Sequence, residues 1–173
     1  MKVKELMIPV ADYQTLGEDA SLGDVAAALN ASKHRDILVV DKDGSFVGVL
    51  TMGDFILALE PNYRKLNKKN LDTDILSNRL VAEQFKEFNL WGDSLSNICS
   101  KAVRIKVTDA MHVPEEGHYI DGDSDIQHGV HMYMVGTPQP LIVRGNGNVI
   151  GVLRMSDVFA EIVKRMNACA LDD

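Results

Sequence analysis

Apolar and polar residues along the first half of the chain follow a pattern that predicts a small α/β unit. Ser21 and Asp24 are spaced as a helix-capping box, and the apolar residues after them recur every three or four positions, which predicts a helix. Two short apolar runs, Ile37–Val40 and Phe46–Leu50, enclose a turn sequence and predict a hairpin of two strands. With a brief strand at Tyr13–Leu16 and a second helix after the hairpin, the predicted order is β-α-β-β-α.

The same pattern occurs a second time in the chain. LVVDKDGSFVGVLTMGD at Leu38–Asp54 recurs as LIVRGNGNVIGVLRMSD at Leu141–Asp157, an offset of 103 residues with 8 of 17 positions identical. The second copy is expected to have a strand near His118–Ile120, a helix cap at Ser124 and a closing helix through Met166. The sequence therefore predicts two copies of one supersecondary unit, with function located where they meet.

A segment between the copies matches neither of them, so the predicted domains are residues 1–59, 60–104 and 105–173. Its apolar residues fall near helical spacing and predict one or two amphipathic helices: Ile75, Leu76, Leu80, Val81, Phe85 and Phe88. Two interpretations stay open for this insert. It packs on the core and spaces the copies, or it covers the shared cleft or forms a dimer or partner surface, with Trp91 as an anchor.

Composition then narrows the class of protein. The 173 residues are 46% hydrophobic and 25% charged, as in a soluble globular protein. A net charge of −7 and a pI near 5.2 argue against a nucleic-acid partner, and no apolar run approaches the ~20 residues of a membrane span. Cys99 and Cys169 form no CxxC motif and are expected to be reduced. We therefore expect a cytoplasmic protein without nucleic-acid or membrane partners.

The two copies resemble the cystathionine-β-synthase (CBS) domain, and the tandem arrangement resembles a Bateman module. The resemblance is carried by a V-x-x-h-M segment, a capped helix, and the run h-V-V-D-x-D-G-x-h-x-G-h-h-T-x-x-D, over Lys2–Leu59 and Val107–Met166. It implies two repeats packed as a pseudo-twofold pair. The second copy departs from the pattern, since Arg144 replaces the equivalent of Asp41 and Arg154 that of Thr51.

The resemblance implies an adenosine-containing ligand in the cleft between the copies. A carboxylate at a helix start can accept charge-assisted hydrogen bonds from both ribose hydroxyls. Thr51 and Asp54 fit this task in the first copy, and Asp157 fits it in the second. Because Thr-x-x-Asp is also a helix-capping motif, the two roles of this sequence coexist.

Positive charge for a phosphate is unevenly distributed between the copies. His34 and Arg35 precede a strand at a place where nucleotide-binding CBS pairs carry basic residues, and their equivalents, Thr137 and Pro138, are uncharged. The resemblance pairs His34 and Arg35 with the ribose carboxylate of the other copy, Asp157, and Arg154 offers a further phosphate contact. The Thr51/Asp54 site then holds an uncharged nucleoside group or stays empty, and His118 is expected where adenine usually stacks.

These features predict a stand-alone regulatory module rather than an enzyme, because no catalytic triad or phosphate loop is apparent. The expected ligand is AMP, ADP or ATP, with S-adenosylmethionine possible, and no cofactor is required. We expect a homodimer that senses cellular energy and acts on a regulated protein. Two alternatives remain: a structural module with a degenerate cleft, and a metal-binding protein that uses histidines and acidic residues (His112, Glu115, Glu116, His118, His128 and His131).

Overall fold

The computed structural model describes residues 1–32, 34–65 and 78–170, which form two small sheets with helices around them. The strands are β1 (Ile8–Pro9), β2 (Thr15–Gly17), β3 (Asp36–Val40), β4 (Phe46–Thr51), β5 (Tyr119–Asp121), β6 (Leu141–Gly145) and β7 (Asn148–Leu153). The helices are α1 (Leu22–Ser32), α2 (Met52–Leu59), α3 (Asn78–Glu87), α4 (Leu95–Ala102), α5 (Val107–Ala110), α6 (Ile126–Met134) and α7 (Met155–Ala170). One sheet has the strand order β2-β3-β4 and the other β1-β7-β6-β5.

Both copies have the predicted β-α-β-β-α order, which confirms the fold class. In each copy the first strand is parallel to the second, and the second pairs with the third as an antiparallel hairpin. The hairpin turns contain Gly44 and Gly147, whose φ angles of 79° and 80° lie in the left-handed region that favours glycine. The repeated turn glycines therefore mark the two hairpins.

Several predicted element limits are corrected by the structure. The strand expected at Tyr13–Leu16 begins later, at Thr15, because a 3₁₀ turn over Val10–Asp12 has Tyr13 as its C-cap, and the strand expected near His118–Ile120 begins after a 3₁₀ turn that ends at His118. The predicted cap at Ser124 is wrong, since α6 begins one residue further on and has Asp125 as its N-cap. The last helix continues past Met166 to Ala170.

The segment that precedes each copy packs on the other copy. Val3, in a 3₁₀ turn at the N-terminus, is fully buried in the core of the second copy, and Val107 of α5 is fully buried in the core of the first. β1 pairs with β7, and His112 forms the equivalent backbone bridge to Val49. We call the stretch before the first strand of a copy, β2 or β5, its lead segment. In space, each copy contains the lead segment of the other, whereas the predicted limits 1–59 and 105–173 assign each lead segment to the copy that follows it in the sequence.

Two repeated glycines lie where these exchanged segments cross the hairpins. A Cβ atom on Gly151 would lie 2.5 Å from the carbonyl oxygen of Ile8, and one on Gly48 would lie 3.0 Å from the carbonyl oxygen of His112. Backbone atoms on both sides leave little room for adjustment, so a side chain at either position would disrupt the crossing. The repeated Gly-Val-Leu sequence thus reflects a close approach of backbones.

An apolar layer joins the two sheets. It consists of side chains from both hairpins and the loop before β2, all at most 6% exposed: Tyr13, Leu38, Val49, Ile142 and Val152. Since each sheet contributes residues to this layer, the two copies bury apolar surface against each other as well as internally.

The described part of the insert packs against the end of the first copy. α4 buries Ile98 and Ala102. The buried carboxylate of Glu60 accepts the backbone N–H of Trp91 at 2.8 Å, and the indole N–H of Trp91 donates to the Tyr63 hydroxyl at 2.9 Å. Trp91 therefore joins the insert to the first copy. The predicted helical positions Ile75 and Leu76 lie outside the described residues.

Two expectations drawn from composition concern membrane spans and cysteines. Among the helices in the described ranges, none is long and apolar enough to cross a bilayer. Cys99 and Cys169 are exposed and unpaired, and they lie on different helices, α4 and α7. Neither cysteine therefore contributes a disulfide to the stability of the described fold.

Candidate ligand-binding site

A cavity of about 380 Å³ lies between the two copies. Its walls include His34, Arg35 and Asp36 from the first copy and Gln139, Arg154 and Phe159 from the second. The volume is within the range of about 300–1,000 Å³ that is usual for small-molecule sites. Polar groups from both copies therefore face one space of suitable size.

The three side chains that the sequence analysis proposed for phosphate binding all line this cavity. His34 and Arg35 lie at the entry to β3, and Arg154 lies directly before α7, 120 residues further along the chain than His34. The carbonyl oxygen of Arg35 accepts the backbone N–H of Met52 at 3.0 Å, which ties the entry of β3 to the first turn of α2. The packing of the copies thus brings together residues that the sequence separates.

His34 is fixed by stacking on an aromatic ring. Its imidazole lies 4.6 Å from the Tyr13 ring, centroid to centroid, with an interplanar angle of 20°. Nδ1 of His34 is buried and has no hydrogen-bond partner within the part of the chain that the structure describes. Such an unsatisfied buried atom is unusual in a native protein, where the large majority of buried polar side-chain atoms have a hydrogen-bond partner.

Asp36 is a cavity residue that the sequence analysis missed. Its side chain is buried, with the residue only 5% exposed, and it accepts a 2.6 Å hydrogen bond from the Tyr13 hydroxyl. Burial raises the pKa of Asp36, although the bond from Tyr13 acts in the opposite direction. The available signal was an acidic residue at the first position of an otherwise apolar strand. The cavity therefore contains an acid as well as cations.

Asp157 lies behind the cavity wall, bound to Arg154. Nε of Arg154 donates to one carboxylate oxygen and Nη2 to the other, both at 2.7 Å, so the pair is bidentate. The hydrogen bonds to Asp157 raise the pKa of Arg154 above its already high ordinary value. Asp157 does not line the cavity in the described structure, whereas Arg154 does.

The first copy holds its equivalent carboxylate differently. The backbone N–H and hydroxyl of Thr51 donate to Oδ2 of Asp54 at 2.8 and 2.7 Å, which confirms the capping role of this pair. Nδ1 of His112 lies 2.8 Å from the same oxygen. Burial alone would raise the pKa of Asp54, but the hydrogen bonds from His112 and Thr51 outweigh it and lower the pKa below its ordinary value.

The predicted site residues thus form two groups in space. His34, Arg35 and Arg154 meet at the cavity with Asp157 beside them, whereas Thr51 and Asp54 lie elsewhere, next to His112. His118 belongs to the second group, since its ring lies edge-on to His112 at 6.5 Å between centroids. Each group combines residues from both copies.

Neither Arg144 nor the other histidines add to these groups. Arg144 binds Glu116 at 2.8 Å and lies over the Tyr119 ring, on the surface. His128 and His131 are exposed on α6. Within residues 1–32, 34–65 and 78–170, no group of three histidine, cysteine or acidic side chains is arranged to hold a metal ion.

Comparisons with known proteins agree on one fold. Residues 3–61 match the sequence model of the CBS domain. A putative acetoin utilization protein from Vibrio cholerae has a TM-score of 0.65 at 14% identity, over 100% of this chain and 97% of its own. The chain has the fold of a tandem CBS-domain pair. No curated protein sequence matches it.

Two further CBS structures resemble this CBS pair over nearly its whole length. CBSX2 in complex with AMP has a TM-score of 0.62 at 17% identity, over 95% of this chain and 98% of its own. The CBS domain of a bacterial Mg²⁺ transporter of the CNNM/CorC family, in complex with ATP, has a TM-score of 0.61 at 18% identity, over 94% and 87%. At these identities the likeness concerns the fold.

The sequence match stops at the end of the first repeat. In the second repeat, Arg144 and Arg154 stand where the first repeat has Asp41 and Thr51, yet β5, β6 and β7 have the same order and pairing as their counterparts. The CBS fold therefore persists where the family sequence has changed. The ligand contacts of the second repeat therefore have to be inferred from its own side chains.

Proposed function

We propose that this CBS pair is a regulatory module that binds an adenosine-containing ligand in the cavity between its repeats. The observation that carries the proposal is the convergence of His34, Arg35 and Arg154, from both repeats, on one cavity of about 380 Å³. Guanidinium groups bind phosphate in a bidentate manner, and a site shared by two repeats can transmit its occupancy to their relative packing.

The ligand class is supported by the two similar structures that contain AMP and ATP. AMP, ADP and ATP are the first candidates, because the cationic side chains offer partners for phosphate, and S-adenosylmethionine is a further candidate. The module is proposed to regulate another protein, without a catalytic step or a required cofactor. Its exposed, unpaired cysteines favour the cytoplasm as its location.

Each part of the ligand has a proposed partner. The phosphate contacts His34, Arg35 and Arg154, and the ribose binds to Asp157 once that carboxylate is available. The group formed by Thr51, Asp54 and His118 is proposed to hold an uncharged nucleoside group or to remain empty, since its neighbour His112 already binds Asp54.

A thermal-shift screen with AMP, ADP, ATP, S-adenosylmethionine and adenosine tests the ligand class. A ligand at 100 times its dissociation constant stabilises the fold by about 2.7 kcal/mol. For a chain of this size that corresponds to a rise in melting temperature of roughly 5–11 °C. If no adenosine compound raised the melting temperature at millimolar concentration, the nucleotide proposal would be wrong.

Calorimetry on Arg35→Ala tests the assignment of the cavity. The variant should weaken AMP binding about tenfold or more, since hydrogen bonds to charged groups contribute about 1.5–3 kcal/mol, and should leave adenosine binding nearly unchanged. Arg104→Ala, a change of an exposed arginine outside the cavity, is the matched control. Equal weakening of AMP and adenosine by Arg35→Ala would contradict a phosphate contact.

A structural assembly module is the second candidate, and one observation favours it. The final helix exposes a row of apolar side chains, among them Phe159 and Met166, which are 64% and 66% exposed. Large exposed apolar patches commonly mark protein interfaces. This candidate takes precedence if the thermal-shift screen finds no adenosine ligand.

A further inference from the structure

The two repeats differ at the position three residues before the helix-start aspartate. The first repeat has Thr51 there and the second has Arg154. In the first repeat, all three donors to Asp54 that the structure describes bind to Oδ2, which leaves Oδ1 without a partner among the described residues. The carboxylate of the first repeat therefore keeps an oxygen free for a ligand.

In the second repeat, both oxygens of the aspartate are already bound. Arg154 contacts Oδ1 and Oδ2 of Asp157 at 2.7 Å each, in the bidentate geometry that guanidinium and carboxylate groups favour. The side chains are only 28% and 23% exposed, so the pair is partly shielded from water. A ribose that binds Asp157 through both hydroxyls therefore competes with Arg154 for the same two oxygens.

Arg154 also faces the cavity, where a phosphate would lie. A nucleoside that displaces Arg154 from Asp157 breaks a bidentate ion pair in a partly buried site and offers the guanidinium no anionic group in exchange. A phosphorylated ligand supplies a new anionic partner to Arg154 at the same time as its ribose binds to Asp157. The exchange is therefore nearly balanced for a nucleotide and unfavourable for a nucleoside.

We propose that Arg154 makes the second site select phosphorylated ligands over nucleosides. Arg154 stays bound to Asp157 until the phosphate of a ligand takes the place of that carboxylate. This inference rests on the proposed function, because it concerns the same cavity. The role proposed for Arg154 is more than a phosphate contact, because removing this arginine should also improve the binding of uncharged adenosine. Arg154 is thus a specificity-determining residue.

The test is calorimetry of adenosine and AMP binding in full-length protein that carries Asp54→Ala, which removes the ribose acceptor of the first repeat. Before Arg154 is changed, AMP should bind far more tightly than adenosine. Arg154→Thr recreates the arrangement of the first repeat and should raise adenosine affinity about tenfold or more, the equivalent of one charge-assisted hydrogen bond. AMP affinity should fall, so the preference for AMP is largely lost.

Two control variants separate this effect from general changes. Arg154→Lys keeps a cation for phosphate but cannot bind both oxygens of Asp157 in a bidentate manner, so AMP binding should persist while adenosine binding improves in part. Arg165→Thr makes the same kind of change further along α7, where Arg165 binds Glu161, and should alter neither affinity. Melting curves of all variants show that they remain folded.

The outcomes distinguish this inference from the proposed function. AMP binding to the Asp54→Ala protein without a gain of adenosine affinity in Arg154→Thr would overturn the inference alone. If the Arg154 form bound no nucleotide but Arg154→Thr gained adenosine affinity, Arg154 would block Asp157 without selecting phosphate, and both the inference and the nucleotide proposal would be wrong. If neither protein bound any adenosine compound, both would be wrong.

Discussion

Tyr13 positions both neighbours of Arg35 at the cavity wall. Its ring stacks on His34, and its hydroxyl donates to Asp36. Tyr13 itself is only 6% exposed, and burial raises the pKa of its hydroxyl, so it remains a donor at all physiological pH values. One buried tyrosine in the layer between the sheets thus sets the geometry of the strand entry that faces the cavity.

Tyr13→Phe should destabilise the protein by about 1–3 kcal/mol, because the buried carboxylate of Asp36 loses its hydrogen bond. Urea unfolding measures the change in free energy. The same substitution in an Asp36→Asn background should cost less, because a neutral amide forms the weaker bond. Equal losses in both backgrounds would show that the charge on Asp36 plays no part.

The pair of His112 and Asp54 should make stability depend on pH. The hydrogen bond to Asp54 raises the pKa of His112, although burial lowers it. The stabilisation is complete below the ordinary histidine pKa of about 6.5 and is lost as pH rises through the higher folded-state value. The lowered pKa of Asp54 keeps this carboxylate ionised in the same range, and His118 is the other titratable side chain in contact with His112.

Urea unfolding of His112→Gln near pH 5.5 and near pH 8.5, on either side of the ordinary histidine pKa of about 6.5, checks this prediction. The variant should be less stable than the wild type at the lower pH and closer to it at the higher pH. His128→Gln, at an exposed position on α6, is the matched control and should show no such difference. A loss for His112→Gln that is the same at both pH values would contradict the prediction.

At the scale of elements, the lead segments and the insert hold the repeats in place. The lead segments exchange between repeats, so neither repeat completes its core without the other. Glu60 fixes one point of the insert, because its carboxylate accepts the backbone N–H groups of Asn62 and Trp91. Trp91 has a φ of 55°, in the left-handed region, and the hydrogen bond that its backbone N–H donates to Glu60 holds this conformation.

Glu60→Ala should therefore detach the insert from the end of α2. We expect a loss of about 2–3 kcal/mol in the free energy of unfolding, because two partly buried backbone donors lose a carboxylate acceptor. Trp91 is the only tryptophan of the chain, so a red shift of its fluorescence reports the local change. Glu87→Ala, an exposed position on α3, is the control. An unchanged emission maximum in Glu60→Ala would argue that other contacts hold the insert.

At the scale of the whole molecule, the final helix presents an exposed apolar stripe. Phe159, Ile162, Val163 and Met166 are spaced at three- and four-residue intervals on α7 and are 36% to 66% exposed. Ile56, the first-repeat equivalent of Phe159, is 45% exposed. Both repeats therefore leave apolar helix surface available for association.

Light scattering at micromolar concentration should give at least twice the chain mass of 19.1 kDa, as expected for a closed homodimer. The double change Ile162→Glu and Met166→Glu should reduce the mass to that of a monomer, because it places charges in the apolar stripe. Lys164→Glu, at an exposed position on the same helix, should leave the assembly intact. A monomeric wild type would rule out the predicted dimer.

Local features of the sequence were enough to predict the repeated units. Capping residues such as Thr51 and Asp54, the turn glycines and the apolar runs act over a few residues, so their consequences follow from spacing. The resemblance to CBS domains, which these local features carry, then implied His34, Arg35, Arg154 and Asp157 as candidates. Reasoning from local spacing misplaced the start of α6, where Ser124 and Asp125 are both acceptable caps.

Only the tertiary structure decided how these candidates meet. The cavity joins His34 to Arg154, and Asp36 is buried there, because packing brings together segments that are distant in sequence and have no common periodicity. The bidentate bond between Arg154 and Asp157 is local in sequence, yet an isolated Arg-x-x-Asp does not show whether its aspartate faces solvent, a ligand or its own arginine. The sequence by itself determined the elements and their duplication, through short-range spacing, whereas the exchange of lead segments and the state of each carboxylate depended on long-range packing.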